Sequence, residues 1–266
     1  MADPVSTGYA RVNGVEMYWE SRGEGATPLI AVHGGFGLAS TFGGLLDRLA
    51  ARRRVIAIEL QGHGHTRDID RVFSYEAFGD DIAALVDELQ LGWVDLLGYS
   101  LGAAACLRAA IQHPDRVRRL VLVSIPCRRD GWFPEVLRGM SQVGSGQFHQ
   151  MRRSDLYRAW AAVAPDPDSF PVLMDRTGAL LRKPYDWTDE IPRLEMPVLL
   201  VYGDADGIPP WHAAEFFALL GGGLQDAGWD GARRPRHRLA IIPGRTHYTI
   251  CAAPALAGII DDFTLF

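Results

Sequence analysis

The chain has 266 residues, 48% of them hydrophobic and 22% charged, with a formal net charge of −5. This describes an ordinary globular protein, long enough for one large α/β domain with an insertion and too short to require two. The mild acidity gives no reason to expect nucleic acid or an anionic membrane as partner. No apolar run approaches the roughly 20 residues of a membrane span, and with no basic segment followed by an apolar one after Met1-Ala2-Asp3-Pro4 a secretory signal is not expected.

Taken in chain order, Asn13-Gly14 suits a type I′ turn and predicts an opening hairpin. Apolar strands follow at Leu29–Val32, Val55–Glu59, Val94–Gly98, Leu120–Ser124, Val198–Tyr202 and Leu239–Ile242. Helical patterns alternate with them at Phe42–Ala50, Tyr75–Leu89, Leu101–His113 and Ala213–Leu220, and Pro254–Phe263 closes the chain. Apolar strands alternating with helices predict a mostly parallel sheet covered on both faces, and the hairpin brings it to eight strands. Asp226–Arg238 reads as a surface loop. Cys106, Cys127 and Cys251 form no CxxC pair, so reduced thiols and a cytoplasmic location are expected.

One interval breaks the alternation. Residues 127–194 lack a convincing buried strand and are rich in aromatic residues and methionine. The interval begins just past the C-terminal end of a strand, where open α/β sheets bind ligands. A helical cap over residues 127–194 is expected, on a core of residues 1–126 and 195–266. Most of its aromatic residues should form its own small core. Arg128 and Arg129, at the entrance to the cap, stand either as solvent-facing charge or as partners for a substrate carboxylate.

The strand Val94–Gly98 leads into Gly98-Tyr99-Ser100-Leu101-Gly102 and then an alanine-rich helix. A serine on such a sharp strand-to-helix turn projects its hydroxyl over the sheet edge, and glycines two residues either side make room. The turn also leaves backbone N–H groups free at a helix N-terminus, where an oxyanion can use them. A serine nucleophile needs a base, and the base needs a carboxylate. His247, in the loop after the last strand, is the best placed of eight histidines. His113 suits a helix cap, and His33 a structural role. His149, His212 and His237 have no evident catalytic partner, and His63 with His65 is too weak a pattern for a metal site. The carboxylate should follow Val198–Tyr202, where Asp204 and Asp206 compete. The loop His33-Gly34-Gly35-Phe36-Gly37 lets backbone N–H groups approach a ligand closely.

With these residues in place the chain resembles the α/β-hydrolase superfamily over nearly its whole length, and more narrowly the small bacterial esterases, enol-lactonases and carbon–carbon hydrolases with helical caps. The order Ser100, Asp, His247 is that family's order, and its Gly-x-x-Asp pattern selects Asp206 over Asp204. The His-Gly-Gly start matches the family's oxyanion loop, which implies N–H groups of Gly35 or Phe36 beside that of Leu101. Tyr99, Trp132, Trp160, Trp187 and Tyr248 are the candidate substrate-facing side chains. Relatives often carry Asp-x-Arg-Gly-x-Gly-x-Ser after the fourth strand, whereas this chain reads Glu59-Leu60-Gln61-Gly62-His63-Gly64-His65-Thr66. The serine disfavours epoxide hydrolase and haloalkane dehalogenase activity, which use aspartate at that position. The expected function is hydrolysis of an ester or lactone of a small to medium apolar substrate, without cofactor or metal, by a monomer or homodimer. The alternatives are carbon–carbon bond hydrolysis, perhydrolysis or haloperoxidation, acyl transfer to an alcohol or amine, and a ligand receptor that keeps the triad.

Overall fold

Asn13 and Gly14 have φ of 48° and 87°, both positive as a type I′ turn demands. They join strands Ser6–Val12 (β1) and Val15–Arg22 (β2) in antiparallel register, with Val12 opposite Val15. The structure, a computed structural model, describes residues 5–265. The sheet continues with Leu29–Val32 (β3), Val55–Ile58 (β4), Val94–Tyr99 (β5), Val117–Val123 (β6), Val198–Ala205 (β7) and Arg238–Thr246 (β8). Its eight strands lie in the order β1-β2-β4-β3-β5-β6-β7-β8. Only the pairs β1/β2 and β2/β4 are antiparallel.

The central strands are short continuous apolar runs because both faces of the sheet are covered. On β3, Ile30 and Val32 enter one core while Leu29 and Ala31 enter the other. Helix Gly44–Ala50 (α1) packs on the second face, and Tyr75–Glu88 (α2) and Leu101–Gln112 (α3) on the first. Between β6 and β7 the chain forms Pro134–Ser141 (α4), Phe148–Met151 (α5), Asp155–Ala161 (α6) and Phe170–Arg182 (α7). Pro210–Leu219 (α8) then joins the first face and Pro254–Thr264 (α9) the second. The helix and strand positions match the sequence expectations to within a few residues at their ends. Residues 226–237 contain neither helix nor strand, as expected of a loop.

The segment between β6 and β7 adds no strand to the sheet, and only an isolated bridge joins Arg128 to Asp186. Large aromatic side chains fix it to the core. Trp160, 2% exposed, packs on Phe170 at 4.9 Å and donates its indole N–H to Gly62 O at 3.2 Å. Trp187, 4% exposed, meets Tyr75 of α2 edge-on at 5.5 Å and stacks on Tyr185 at 4.4 Å. Burying an indole contributes more than any aliphatic side chain, provided its N–H finds an acceptor.

The unusual loop after β4 has its own logic. The Glu59 carboxylate accepts hydrogen bonds from the N–H of Ala39 at 3.1 Å, the N–H of His65 at 2.7 Å and His65 Nδ1 at 2.9 Å. It thereby ties this loop to the turn that follows the glycine-rich stretch after β3. The hydrogen bond to Glu59 raises the His65 imidazole above its ordinary pKa, against the pull of burial. His63 and His65 point apart: the His63 ring lies between His33 and Phe73, and His65 stacks on Tyr18. Among the described residues no three His, Cys, Asp or Glu side chains converge as a metal site.

His63 donates from Nδ1 to Gln61 O at 3.0 Å, while its buried Nε2 has no partner among the described residues. Burial and the neighbouring His33 push its pKa down to about 3. A depressed histidine pKa stabilises the fold above the unfolded value near 6.5, and that contribution is lost as pH falls toward 3. At pH 4.5 the loss from this residue alone is roughly 2–3 kcal/mol. Urea unfolding at pH 7 and pH 4.5 should therefore show a steep acid destabilisation in the wild type and a smaller one in His63→Phe. An equal loss in both proteins would remove His63 as its source.

Candidate active site

Ser100 sits between β5 and α3 with φ 54° and ψ −117°, a strained conformation for a side-chain-bearing residue. Close packing imposes the turn. A Cβ on Gly102 would lie 2.2 Å from Val32 O, and one on Gly98 would lie 2.4 Å from Gly102 O. Only glycine lets α3 approach β3 and β5 this closely. The Ser100 N–H remains bonded to Val123 O at 2.9 Å, so the turn stays pinned to the sheet while the hydroxyl faces out.

His247, the residue after β8, places Nε2 at 3.0 Å from Ser100 Oγ and Nδ1 at 3.0 Å from Asp206 Oδ1. Its ring is walled by Tyr99 at 5.3 Å and Trp132 at 5.4 Å. The Tyr99 hydroxyl donates to His247 O at 2.6 Å, which fixes the loop that carries the imidazole. Asp206, 6% exposed, follows β7. Oδ1 also accepts from the N–H of Gly207 at 2.6 Å, and Oδ2 accepts from Ser124 Oγ at 2.5 Å and from the N–H of Gly203 at 3.3 Å. Burial alone would raise this carboxyl, but the bonds from His247, Ser124 and Gly203 outweigh it and hold the group below the usual aspartate range. Asp204, its competitor in the sequence, is exposed and among the described residues accepts only from the N–H of Gly244, at 2.7 Å.

Ser124 is the residue that sequence reasoning missed. It follows β6 with φ 57° and is fully buried. Its signal was a polar residue ending an apolar strand at the sheet edge where ligands bind. By holding Oδ2, Ser124 leaves Oδ1 directed at His247. Ser124→Ala should lower kcat roughly tenfold, the equivalent of about 1.4 kcal/mol for one charge-assisted hydrogen bond, with little change in KM. A kcat within twofold of wild type would reduce this contact to packing.

Gly34 to Gly37 form a turn closed by the Gly37 N–H to Gly34 O at 2.9 Å, with Phe36 at φ 60°. A Cβ on Gly34 would come within 3.3 Å of Ser100 Cβ, so the loop lies against the serine. Gly35, Phe36 and Leu101 all line the cavity that holds Ser100, and no backbone bond within the described residues uses their N–H groups.

The cavity has a volume of about 1220 Å³ and holds Ser100, Asp206 and His247 in its wall. The segment between β6 and β7 contributes Trp132, Phe133, Val136, Met140 and Tyr185 to its lining. Of the candidate substrate-facing side chains, Tyr99, Trp132 and Tyr248 line it. Trp160 and Trp187 do not: both are spent on anchoring the helical segment, and their expected contact with substrate is withdrawn. Among the other histidines, His33 is buried between Gly34 O and the N–H of Leu60, and His113 meets Asp80 at 2.8 Å. His237 accepts from the N–H of Val198. His212 pairs with Glu215 at 3.0 Å and lies 3.7 Å from Cys127 Sγ, outside the cavity. All three cysteines are free, and burial pushes Cys127 up to about 11 and Cys251 up to about 12, so neither is a ready thiolate.

A serine bonded to an imidazole that is bonded to a buried carboxylate, on this sheet, defines a class. Residues 27–160 match the family described as the alpha/beta hydrolase fold. The chain belongs to the α/β-hydrolase family. It is 28% identical to the pimeloyl-[acyl-carrier protein] methyl ester esterase of Yersinia enterocolitica, over 93% of this chain and 97% of that one. It is 31% identical to the Aeromonas hydrophila protein of the same name, over 68% of this chain and 78% of that one. These relatives place it with the carboxylic ester hydrolases of the family. In fold it also matches the crystal structure of the enol-lactonase from Burkholderia xenovorans LB400, with a TM-score of 0.69 at 21% identity, over 97% of this chain and 100% of that one. Among the described residues, no helix is long and apolar enough to cross a membrane.

Proposed function

We propose that the chain hydrolyses an ester or lactone of a small to medium apolar acid through an acyl-enzyme on Ser100. The observation that carries this reading is the pair of 3.0 Å contacts by which His247 bridges Ser100 and Asp206 in the wall of a cavity of about 1220 Å³. In this mechanism His247 Nε2 takes the hydroxyl proton as Ser100 Oγ attacks the carbonyl carbon. Asp206 holds the proton on Nδ1 and stabilises the imidazolium. The N–H groups of Leu101 and of Gly35 or Phe36 receive the oxyanion, each worth roughly 3 kcal/mol in the transition state. His247 then protonates the leaving alcohol, and later activates the water that releases the acid.

The relatives are named for a methyl ester on a pimeloyl group, and an ester of a small alcohol on a medium-length acyl chain suits a cavity of this size and apolar character. Residues 127–194 act as the cap that shapes it. The test is turnover of p-nitrophenyl acetate through octanoate, with intact mass measured after a fluorophosphonate probe. Multiple turnover and a single adduct are expected. An adduct without sustained turnover would point instead to a receptor or to a narrow carbon–carbon hydrolase.

A further inference from the structure

The two arginines at the entrance to the helical segment have different fates. Arg128 is paired, with Glu215 at 2.8 Å and Asp130 at 2.8 Å, and does not line the cavity. Arg129 lines the cavity and forms no ion pair among the described residues. Its backbone N–H bonds Tyr185 O at 2.9 Å, and its Nε donates to Leu181 O at 3.0 Å. These two bonds fix the base of the side chain and leave both Nη groups without a partner among the described residues. Beside it lies Tyr75, which also lines the cavity and whose hydroxyl bonds no described residue. The fork is thus left open to the cavity, where a planar anionic group can meet it.

Helix α7 relates this charge to the reacting centre. Thr177, 1% exposed and lining the cavity, has a hydroxyl with no partner among the described residues, and its Cγ2 lies 3.9 Å from where a Cβ on Gly35 would stand. Thr177 therefore sits over the loop beside Ser100. Leu181, the residue that holds Arg129, comes four positions later on the same face, about 6 Å along the helix axis. A ligand whose carbonyl lies at Ser100 and whose chain follows α7 reaches the guanidinium after a short apolar stretch. The other carboxylate of the lining apart from Asp206, Glu135, is exposed on α4 and forms no ion pair with Arg129.

Resting on the esterase reading, we propose that Arg129 is a specificity-determining residue that receives a carboxylate at the far end of the acyl chain, so that the preferred substrates are half-esters of dicarboxylic acids. The planar fork matches a carboxylate with two parallel hydrogen bonds, and the Tyr75 hydroxyl supplies a further donor.

The test compares monomethyl esters of succinate, glutarate, adipate, pimelate and suberate with the corresponding dimethyl esters, which differ by one methyl group and one charge. For at least one chain length, kcat/KM for the half-ester should exceed that for the diester more than tenfold. In Arg129→Met that ratio should fall at least tenfold, chiefly through KM, and in Arg129→Lys by an intermediate factor, because the charge remains and the fork does not. A wild-type ratio at or below one, or an unchanged ratio in Arg129→Met, overturns the proposal while leaving the esterase reading intact. Should no methyl ester turn over, the esterase reading is at fault, and calorimetric binding of monomethyl adipate and monomethyl pimelate to Ser100→Ala decides the subsite separately. Binding that disappears when Arg129→Met is added upholds it; no binding, or binding that persists, overturns it. Thermal unfolding of each variant checks the fold, and Arg129→Lys carries the comparison if Arg129→Met fails to fold.

Discussion

Ser100→Ala is expected to lower kcat by roughly 10⁴-fold or more while the protein remains folded. The reasoning starts from what the substitution removes. Oγ is the atom that forms the acyl-enzyme, and His247 Nε2 at 3.0 Å is left with nothing to deprotonate. What survives is binding and the oxyanion loop, which in serine hydrolases generally retain some 10³–10⁴-fold of rate over water. The fold should be nearly indifferent. Alanine meets the same strain at φ 54° that serine does, the Ser100 N–H bond to Val123 O is a backbone contact, and no Cβ clash is added. The measurement is kcat with p-nitrophenyl butyrate beside the thermal unfolding midpoint and the fluorophosphonate adduct mass. A loss below tenfold with normal stability, or an adduct that persists in the variant, would remove Ser100 as nucleophile.

Much of this molecule was legible in the sequence, for physical reasons. Strands buried on both faces are continuous apolar runs, so β3 to β7 stand out from their surroundings. The strand-to-helix turn at Ser100 needs glycine at 98 and 102 for steric reasons that hold on any sequence, and in the structure a Cβ at either position would stand 2.2–2.4 Å from backbone atoms. The opening hairpin follows from the positive φ that Asn13-Gly14 tolerates.

What escaped was long-range polar pairing, which leaves no periodic trace. Asp95 sits in an apolar strand and is fully buried, and it is satisfied by Arg53 at 3.1 Å and by Arg118 at 2.8 Å. Those partners lie 42 and 23 residues away, so nothing in the local pattern announces them. Ser124 is similar: only the crossover that sets β6 beside β7 brings it to Asp206. Glu59 looked like a missing aspartate and is instead the residue that ties two loops together. In the segment between β6 and β7 the helices are mostly only one to two turns long, too short for an amphipathic stripe to show which side faces the cavity. That is why Trp160 and Trp187 were expected to meet substrate although the structure uses both as anchors.

The second large effect concerns the carboxylate, and it separates two residues that the bare sequence hardly distinguishes. Asp206→Asn should reduce kcat by about 10⁴-fold, whereas Asp204→Asn should change it by less than about threefold. The Asp206 carboxylate receives four donors, from His247, Gly207, Ser124 and Gly203. An asparagine keeps one acceptor oxygen and must present its NH₂ group on the other side. Turned toward His247, that group donates to Nδ1, which moves the imidazole proton to Nε2, the atom that has to accept from Ser100. Turned the other way, it faces Ser124 Oγ and the Gly203 N–H and leaves an unsatisfied donor in a buried site. Either orientation also loses the negative charge that stabilises the imidazolium. Asp204 is exposed and accepts a hydrogen bond from the N–H of Gly244, one that an asparagine side-chain oxygen can still accept. Steady-state kinetics on the two variants, with thermal unfolding as the control for folding, decides the matter. A larger loss in Asp204→Asn would transfer the role to Asp204 and would mean that His247 turns to a different partner in the working enzyme. Losses of similar size in both would mean that the C-terminal end of β7 and the residues after it act as a unit, with the Gly244 contact setting the position of β8 and hence of His247.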